Sequence, residues 1–298
     1  MSSTDPHWDL YRSFLAVLDQ GSLSRAARDL GLTQPTLARH VEQLEAALGT
    51  PLFTRSPRGL MATETALILA PHARAMQSAA AAVKRAASGA RDAVEGVVRI
   101  TASHVIAVEV LPAMLRDLHA EHPKLAFEIV ASNESADLLR READIAVRMV
   151  RPKQTALVAK RAGDVMLGLY AHKDYIAKHG APKGLDDTDG HAIIGYDRET
   201  LPIQTLRALG FQLNRDQFTY RTDSDLALIN LLRAGAGVGV CQVAIAQRDP
   251  NLVRLLPKAF AFSLDTWITM HEDLRSIARM RATFDHLVGG MSAYALAR

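Results

Sequence analysis

The chain has 298 residues, 48 % of them hydrophobic and 22 % charged, with a formal net charge of +3. That composition belongs to a folded globular protein and excludes disorder, collagen and repeat fibres; at roughly 100–200 residues per domain it predicts about two domains. No run approaches the roughly 20 apolar residues of a membrane span, and the N-terminus lacks a basic and apolar signal region, so a cytoplasmic protein with no membrane partner is expected.

Tyr11, Phe14, Leu15 and Leu18 recur at helical spacing and predict a first helix ending near Gly21. Ser22 is placed to cap a second helix, with Leu23, Ala26, Ala27 and Leu30 on its apolar face and Gly31 as its stop. Thr33 then caps a third, with Pro35 in its first turn, a buried stripe of Leu37, Val41, Leu44 and Leu48, and Gly49 at its end. Two short helices joined by Gly31-Leu32-Thr33 predict a helix-turn-helix, whose third helix enters the major groove of DNA. Gln34, Thr36, Arg39, His40 and Gln43 lie off its core stripe and can donate to and accept from base edges. Bulk charge does not decide the matter, because residues 1–63 hold six arginines against six acidic residues. Spacing alone leaves a plain three-helix bundle with a polar solvent face as an equal alternative.

The next segment tips the balance. Residues 52–55 and 60–63 are short apolar runs around Ser56-Pro57-Arg58-Gly59, which predicts a small β-hairpin. Arg55 and Arg58 on that hairpin would lie beside a duplex at phosphate height, adding salt-sensitive affinity. The unit is therefore a winged helix-turn-helix, with backbone groups near Ser22 as further phosphate holders. At this point the residues match a family. Phe14, Val17, Gly21-Ser22-Leu23-Ser24, Ala26-Ala27, Leu30, Thr33-Gln34-Pro35, Leu37, Arg39, Leu44-Glu45, Leu48-Gly49, Leu52-Phe53, Arg55, Arg58-Gly59 and Thr63 reproduce in order and spacing a known pattern. The chain resembles the LysR-type transcriptional regulators. The resemblance implies an α+β multidomain fold: an N-terminal winged helix-turn-helix, a long linker helix, and a C-terminal two-lobed α/β effector-binding domain of periplasmic-binding-protein type. It also implies a dimer of dimers. Ala38 departs from the pattern, standing where the family usually carries Ser, as do Ala62 and Thr65-Ala66 at the hairpin exit.

Residues 64–95 are Ala-rich and read as heptads. Ala66, Ala73, Ala80, Ala87 and Val94 are seven apart, and Leu69, Met76, Val83 and Ala90 follow the first four by three. A two-stranded seam built on Leu69, Ala73, Met76, Ala80, Val83 and Ala87 would pair two DNA-binding heads on a near-palindromic site. A helix packed only on its own domain is the alternative. Pro71 inside the pattern predicts a kink or a late helix start.

From residue 96 onward short β-branched runs alternate with helical patterns. Strands are expected at 96–101, 127–131 and 144–147, with a further unit beginning at 165–170. Crossings near 157–161 and 260–270 would divide residues 96–298 into two α/β lobes, 96–161 with 266–298 and 162–265, with a cleft between them. Ligands collect at strand C-terminal ends in such sheets. The polar residues there are Thr101, Ser103, His104, Ser132, Asn133 and Arg148, with Tyr196, Thr222 and Ser224 in the second lobe. Singly each reads as a cap, turn or surface residue; as a converging set they predict a small-molecule site. Arg148, His104 and helix N-termini point to a carboxylate or other anion.

Enzyme signatures fail in turn, and no cofactor or metal is expected. Gly235-Ala-Gly237-Val-Gly239 lacks dinucleotide-loop spacing and precedes a strand. His271-Glu272 reaches Arg275 where a zinc protease needs His, and residues 186–190 miss the calcium-loop spacing. Cys241 is the single cysteine, which fits a reducing compartment and leaves no partner for a disulfide switch. The expected function is a sequence-specific, ligand-controlled transcription regulator that is not an enzyme. Two alternatives remain: a DNA-binding regulator whose second domain only oligomerises, and a solute-binding or enzymatic α/β protein carrying a helical packing module.

Overall fold

Helix α1 (Trp8–Gln20) buries Phe14, Leu15 and Val17, α2 (Leu23–Leu30) buries Ala26 and Ala27, and α3 (Gln34–Leu48) buries Leu37, Val41 and Leu44. The spacing therefore placed each apolar face correctly. The structure is a computed structural model and describes residues 5–56, 59–87, 93–133, 143–152, 157–185, 187, 190–198, 204, 207 and 215–297. It holds two compact units, one on residues 1–87 and the other on 88–138 with 143–298.

In the first unit α1, α2 and α3 end on Gly21, Gly31 and Gly49, all in the left-handed region that a Cβ disfavours. Thr33 caps α3 as expected, its hydroxyl accepting from Thr36 N at 3.3 Å. Ser22 differs from expectation: it occupies the cap position of α2 but its hydroxyl makes no capping bond, and only its carbonyl serves the helix, accepting from Ala26 N. Strands β1 (Phe53–Ser56) and β2 (Gly59–Ala62) pair antiparallel from Phe53↔Ala62 to Ser56↔Gly59. Gly59 docks the hairpin on the α1–α2 turn. The adjacent Leu60 N donates to Gly21 O at 3.2 Å, and a Cβ on Gly59 would stand 2.8 Å from that same carbonyl. Helix α4 (Glu64–Ala87) starts where Thr63 accepts from Ala66 N and donates to Pro51 O. The late start is thus corrected: the Thr63 cap sets the beginning at Glu64, and the helix runs on through Pro71, which is exposed.

The second unit is built on a seven-stranded sheet. In chain order its elements are β3 (Gly96–Ala102), a π-helical turn (Ile106–Val110), α5 (Leu111–Glu121), β4 (Leu125–Ala131), β5 (Ile145–Arg148) and β6 (Leu157–His172). There follow α6 (Lys173–His179), β7 (Ile194–Gly195), β8 (Tyr220–Arg221), α7 (Asp225–Arg233), β9 (Val238–Gln242), α8 (Val243–Ala246), β10 (Leu252–Leu255), β11 (Phe262–His271) and α9 (Ala278–Ala295). Strands β4, β3 and β5 run parallel, and β11 then pairs antiparallel with both β5 and β6. The segment at 165–170, expected to open a further unit, is not a strand of its own. It is the second half of the 16-residue β6, which pairs with β11 up to Leu167 and with β9 and β10 beyond it. The β6–β11 register shifts at Thr266/Trp267, opposite Gly163 at φ +134°, and a bulge at that point bends the two strands together. Apolar residues of β3, β5, α5 and α9 form one continuous core with those of α7 and α8.

Candidate nucleic-acid interface and effector site

With Leu37, Val41 and Leu44 turned inward, α3 presents a polar edge whose members differ in freedom. Gln34 accepts from Ser24 Oγ at 2.9 Å, Thr36 shares a hydrogen bond with Thr33 at 2.8 Å, and His40 Nδ1 lies 2.8 Å from Ser13 Oγ, a hydroxyl buried in α1. His40 therefore braces α3 against α1. Arg39 and Gln43 are exposed and make no side-chain hydrogen bond among the described residues, and Pro35 is exposed beside them. The side chain of Arg55 and the whole of Arg58 lie outside the described residues.

Sequence reading missed what aims the hairpin. Glu45 Oε1 accepts from Leu52 N at 2.6 Å and from Phe53 N at 3.1 Å, tying the last turn of α3 to the entry of β1. Glu45 was noted only as part of a pattern; its position off the apolar stripe and seven residues before Leu52 was the available signal.

On α4, Ala66, Ala70 and Ala73 pack against Phe14, Leu15, Leu44 and Leu52 of the same head, and Leu69 joins them partly buried. Ala73 is 3 % exposed, so its expected place in an intermolecular seam is corrected: its small side chain is spent on close approach to α1. Exposed apolar residues lie elsewhere on the helix, at Leu67, Ile68, Met76 and Val83. Ala80 is half-buried, and the side chain of Ala87 lies outside the described residues.

In the second unit the nine expected residues fall into three groups. Asn133 Oδ1 accepts from His104 N at 3.2 Å while Asn133 Nδ2 donates to Asp225 Oδ2 at 2.8 Å, and Tyr196 OH donates to Asp225 Oδ1 at 2.7 Å. His104, Asn133 and Tyr196 are thus brought together, by Asp225, a residue not singled out in the sequence. Its signal was its place at the first position of α7, directly after the Ser224 cap. Burial and the neighbouring Asp225 carboxylate raise the Tyr196 phenol above its ordinary range, keeping it a donor. Separately, Arg148 Nη2 donates to Thr101 Oγ1 at 2.8 Å. Thr222 and Ser224 form the third group, locally: Thr222 Oγ1 accepts from Ser224 N, and Ser224 Oγ accepts from Ala227 N to cap α7. Ser103 and Ser132 flank the first group half-buried, their backbones engaged with Ala107 and Ala102.

A second contact along the same helix was also unforeseen. Glu109 in the π-helical turn and Arg233 in the last turn of α7 form a two-pronged pair at 2.8 Å for each prong, and Arg248 donates to Glu109 O. The Arg233 hydrogen bonds hold the Glu109 carboxyl below its usual value. Gly237 proves to be a packing glycine, since a Cβ there would stand 2.1 Å from Ala192 O, which gives the glycine run a structural cause. Burial pushes the Cys241 thiol up to about 12. Among the described residues no cluster of His, Cys, Asp or Glu could hold a metal, and no helix is long and apolar enough to cross a membrane.

Comparison with known proteins agrees with this geometry. Residues 8–67 match the bacterial regulatory helix-turn-helix protein family of lysR type, and residues 91–292 match the LysR substrate binding domain. An HTH-type transcriptional regulator of Xanthomonas campestris is 32 % identical over 182 residues, 60 % of this chain and about half, 52 %, of that relative's length. The regulator CrgA of Neisseria meningitidis is 26 % identical over 246 residues, covering 82 % of each chain. In fold, the crystal structure of CbnR, a LysR family regulator, aligns with a TM-score of 0.68 at 17 % identity over 96 % of this chain and 99 % of that one. The CrgA structure aligns at 0.58 and 23 % identity over 95 % and 98 %. The chain belongs to the LysR family: it is a transcriptional regulator, not an enzyme, with a helix-turn-helix DNA-binding domain joined to an α/β effector-binding domain.

Proposed function

We propose that this regulator reads its operator through the free edge of α3, with Arg39 and Gln43 as the principal base readers, Gln34, Pro35 and Thr36 at the helix N-terminus beside them, and His40 as both brace and neighbour. Arg55, Arg58 and backbone groups at Ser22 hold phosphates on either side. The domain limits are 1–63 for the head, 64–95 for the linker, and 96–298 for the sensor with lobes 96–161 plus 266–298 and 162–265. Two heads joined through α4 address a near-palindromic site, and two such dimers form a tetramer. The protein works in the cytoplasm, where its DNA is. A small-molecule effector binds at the strand ends around Thr101, Ser103, His104, Ser132, Asn133, Arg148, Tyr196, Thr222 and Ser224, with Arg148 serving an anionic group. Binding favours one closure of the lobes and resets the spacing of the heads.

The observation that supports this most is the contrast along α3: its apolar stripe is engaged while Arg39 and Gln43 stand exposed with no side-chain partner among the described residues. An arginine in that position suits guanine O6 and N7. DNA retained by the purified protein from a genomic pool supplies the operator. On it, Arg39→Ala is expected to lose about 1–3 kcal/mol of specific binding while non-specific binding is largely kept. An unchanged gel shift refutes the assignment.

A further inference from the structure

This inference rests on the effector reading and names the chemistry of the ligand. Asp225 is held from two sides by neutral groups: Tyr196 OH reaches Oδ1, and Asn133 Nδ2, arriving from beyond the end of β4, reaches Oδ2. No Lys, Arg or His pairs with it among the described residues. The nearby carboxylate Asp223 does have one, Arg198, at 3.3 Å. The corner where Tyr196, Asn133 and Asp225 meet therefore carries a negative charge that no cation among the described residues pairs. Tyr196 cannot relieve it, because its phenol stays un-ionised and serves only as a donor. His104 approaches through its backbone N–H, which is committed to Asn133. A carboxylate entering here meets like charge. An ammonium group replaces a neutral donor with a charged one, and charge-assisted hydrogen bonds are about twice as strong as neutral ones.

We propose that Asp225 receives a primary ammonium group of the effector, which displaces Asn133 from Oδ2, and that the effector class is an amino acid, its carboxylate turned toward Arg148. Asn133 and Tyr196 then act as the stand-ins that hold the carboxylate in place when no amine is present. This refines the anion expected from Arg148: the ligand is a zwitterion, and its positive end decides affinity.

The test uses the full-length protein, thermal-shift screening and titration calorimetry, with the twenty L-amino acids and their des-amino counterparts as probes (3-phenylpropionate for phenylalanine, glutarate for glutamate, 4-methylpentanoate for leucine). The expected result is at least one amino acid that binds tenfold or more tightly than its des-amino acid. Asp225→Asn, which keeps size and one acceptor oxygen but loses the charge, reduces that preference below about threefold, the charge-assisted bond being lost. A des-amino acid that binds as tightly as its amino acid, or a preference that survives Asp225→Asn, overturns the ammonium assignment and leaves the sensor reading standing. Silence from every amino acid overturns the assignment too; only silence extending across a broad metabolite library overturns the sensor reading with it.

Discussion

Replacing Glu45 by Ala should loosen the hairpin on the DNA-binding head without touching any group proposed to meet DNA. One carboxylate oxygen serves two backbone donors, Leu52 N at 2.6 Å and Phe53 N at 3.1 Å, and Leu52 is fully buried. Hydrogen bonds to a charged acceptor contribute about 1.5–3 kcal/mol each, and a buried N–H left unpaired costs about 1–3 kcal/mol. Glu45 itself is half-buried, which discounts the sum, so Glu45→Ala is expected to cost about 2–4 kcal/mol. Glu45→Gln keeps an acceptor and loses the charge, and should cost about half as much. In a unit of 60–100 residues each kcal/mol moves the melting temperature by about 4–8 °C, so the alanine variant should melt its head roughly 8–32 °C early. Amide hydrogen exchange on the full-length protein checks the cause, because protection should fall first at Leu52 and Phe53. DNA affinity should fall with it, since a hairpin without the Glu45 tie no longer presents its arginines at a fixed height. Unchanged protection at those two amides, or equal melting of the Ala and Gln variants, would refute the reasoning.

Three further outcomes follow from other sites. Glu109 has a folded pKa below its unfolded value, so its pair with Arg233 contributes above about pH 4.3 and is lost as the pH falls through the lower folded value. Glu109→Gln should therefore cost about 1 kcal/mol at pH 7, the upper end for partly exposed pairs, and in urea titrations the difference from the parent should shrink progressively as the pH falls below the ordinary glutamate range. On α4, Met76→Glu with Val83→Glu should weaken dimerisation at least tenfold in sedimentation while leaving the head folded, whereas Ala73→Glu should unfold the head, because Ala73 is interior. Cys241, buried with its thiol near 12, should react with iodoacetamide at pH 7 about three orders of magnitude more slowly than a free thiol and recover normal reactivity in denaturant.

What could be read from the amino-acid order was set by local rules. Helices α1 to α3 carry their apolar residues at one spacing and their stops at Gly21, Gly31 and Gly49, so both the faces and the ends follow from neighbours in sequence. The hairpin is equally local, four paired positions around one turn. The full length of strand β6 was not legible because its two halves answer to different partners, β11 up to Leu167 and β9 with β10 from there on. No local pattern states that a chain will continue straight through such an exchange. The heptad pattern on α4 failed at Ala73 for a related reason. Alanine permits close approach without saying to what, and α1 of the same chain reached it first.

The site residues divide along the same line. Thr33, Ser224 and Thr222 are caps and turn residues whose partners lie two or three positions away, and their roles were legible. Asp225 and Glu109 were not, because Asn133 stands 92 positions from the one and Arg233 stands 124 from the other. Both contacts fall on α7, Asp225 at its first residue and Arg233 in its last turn, and both reach elements that flank the β3 strand end. The helix is thereby fixed at two points about 12 Å apart, given 1.5 Å of rise per residue. The two fixings differ in kind. Glu109 with Arg233 is a matched ion pair that a neutral ligand cannot improve, whereas among the described residues Asp225 is served by neutral donors that a cation can replace. A ligand acting at the Asp225 end alone would change one attachment and leave the other as a pivot. An effector bound at Asp225 is therefore expected to act through α7 pivoting about Arg233, and Glu109→Gln tests this: ligand affinity at pH 7 should be retained while the ligand's effect on operator binding falls.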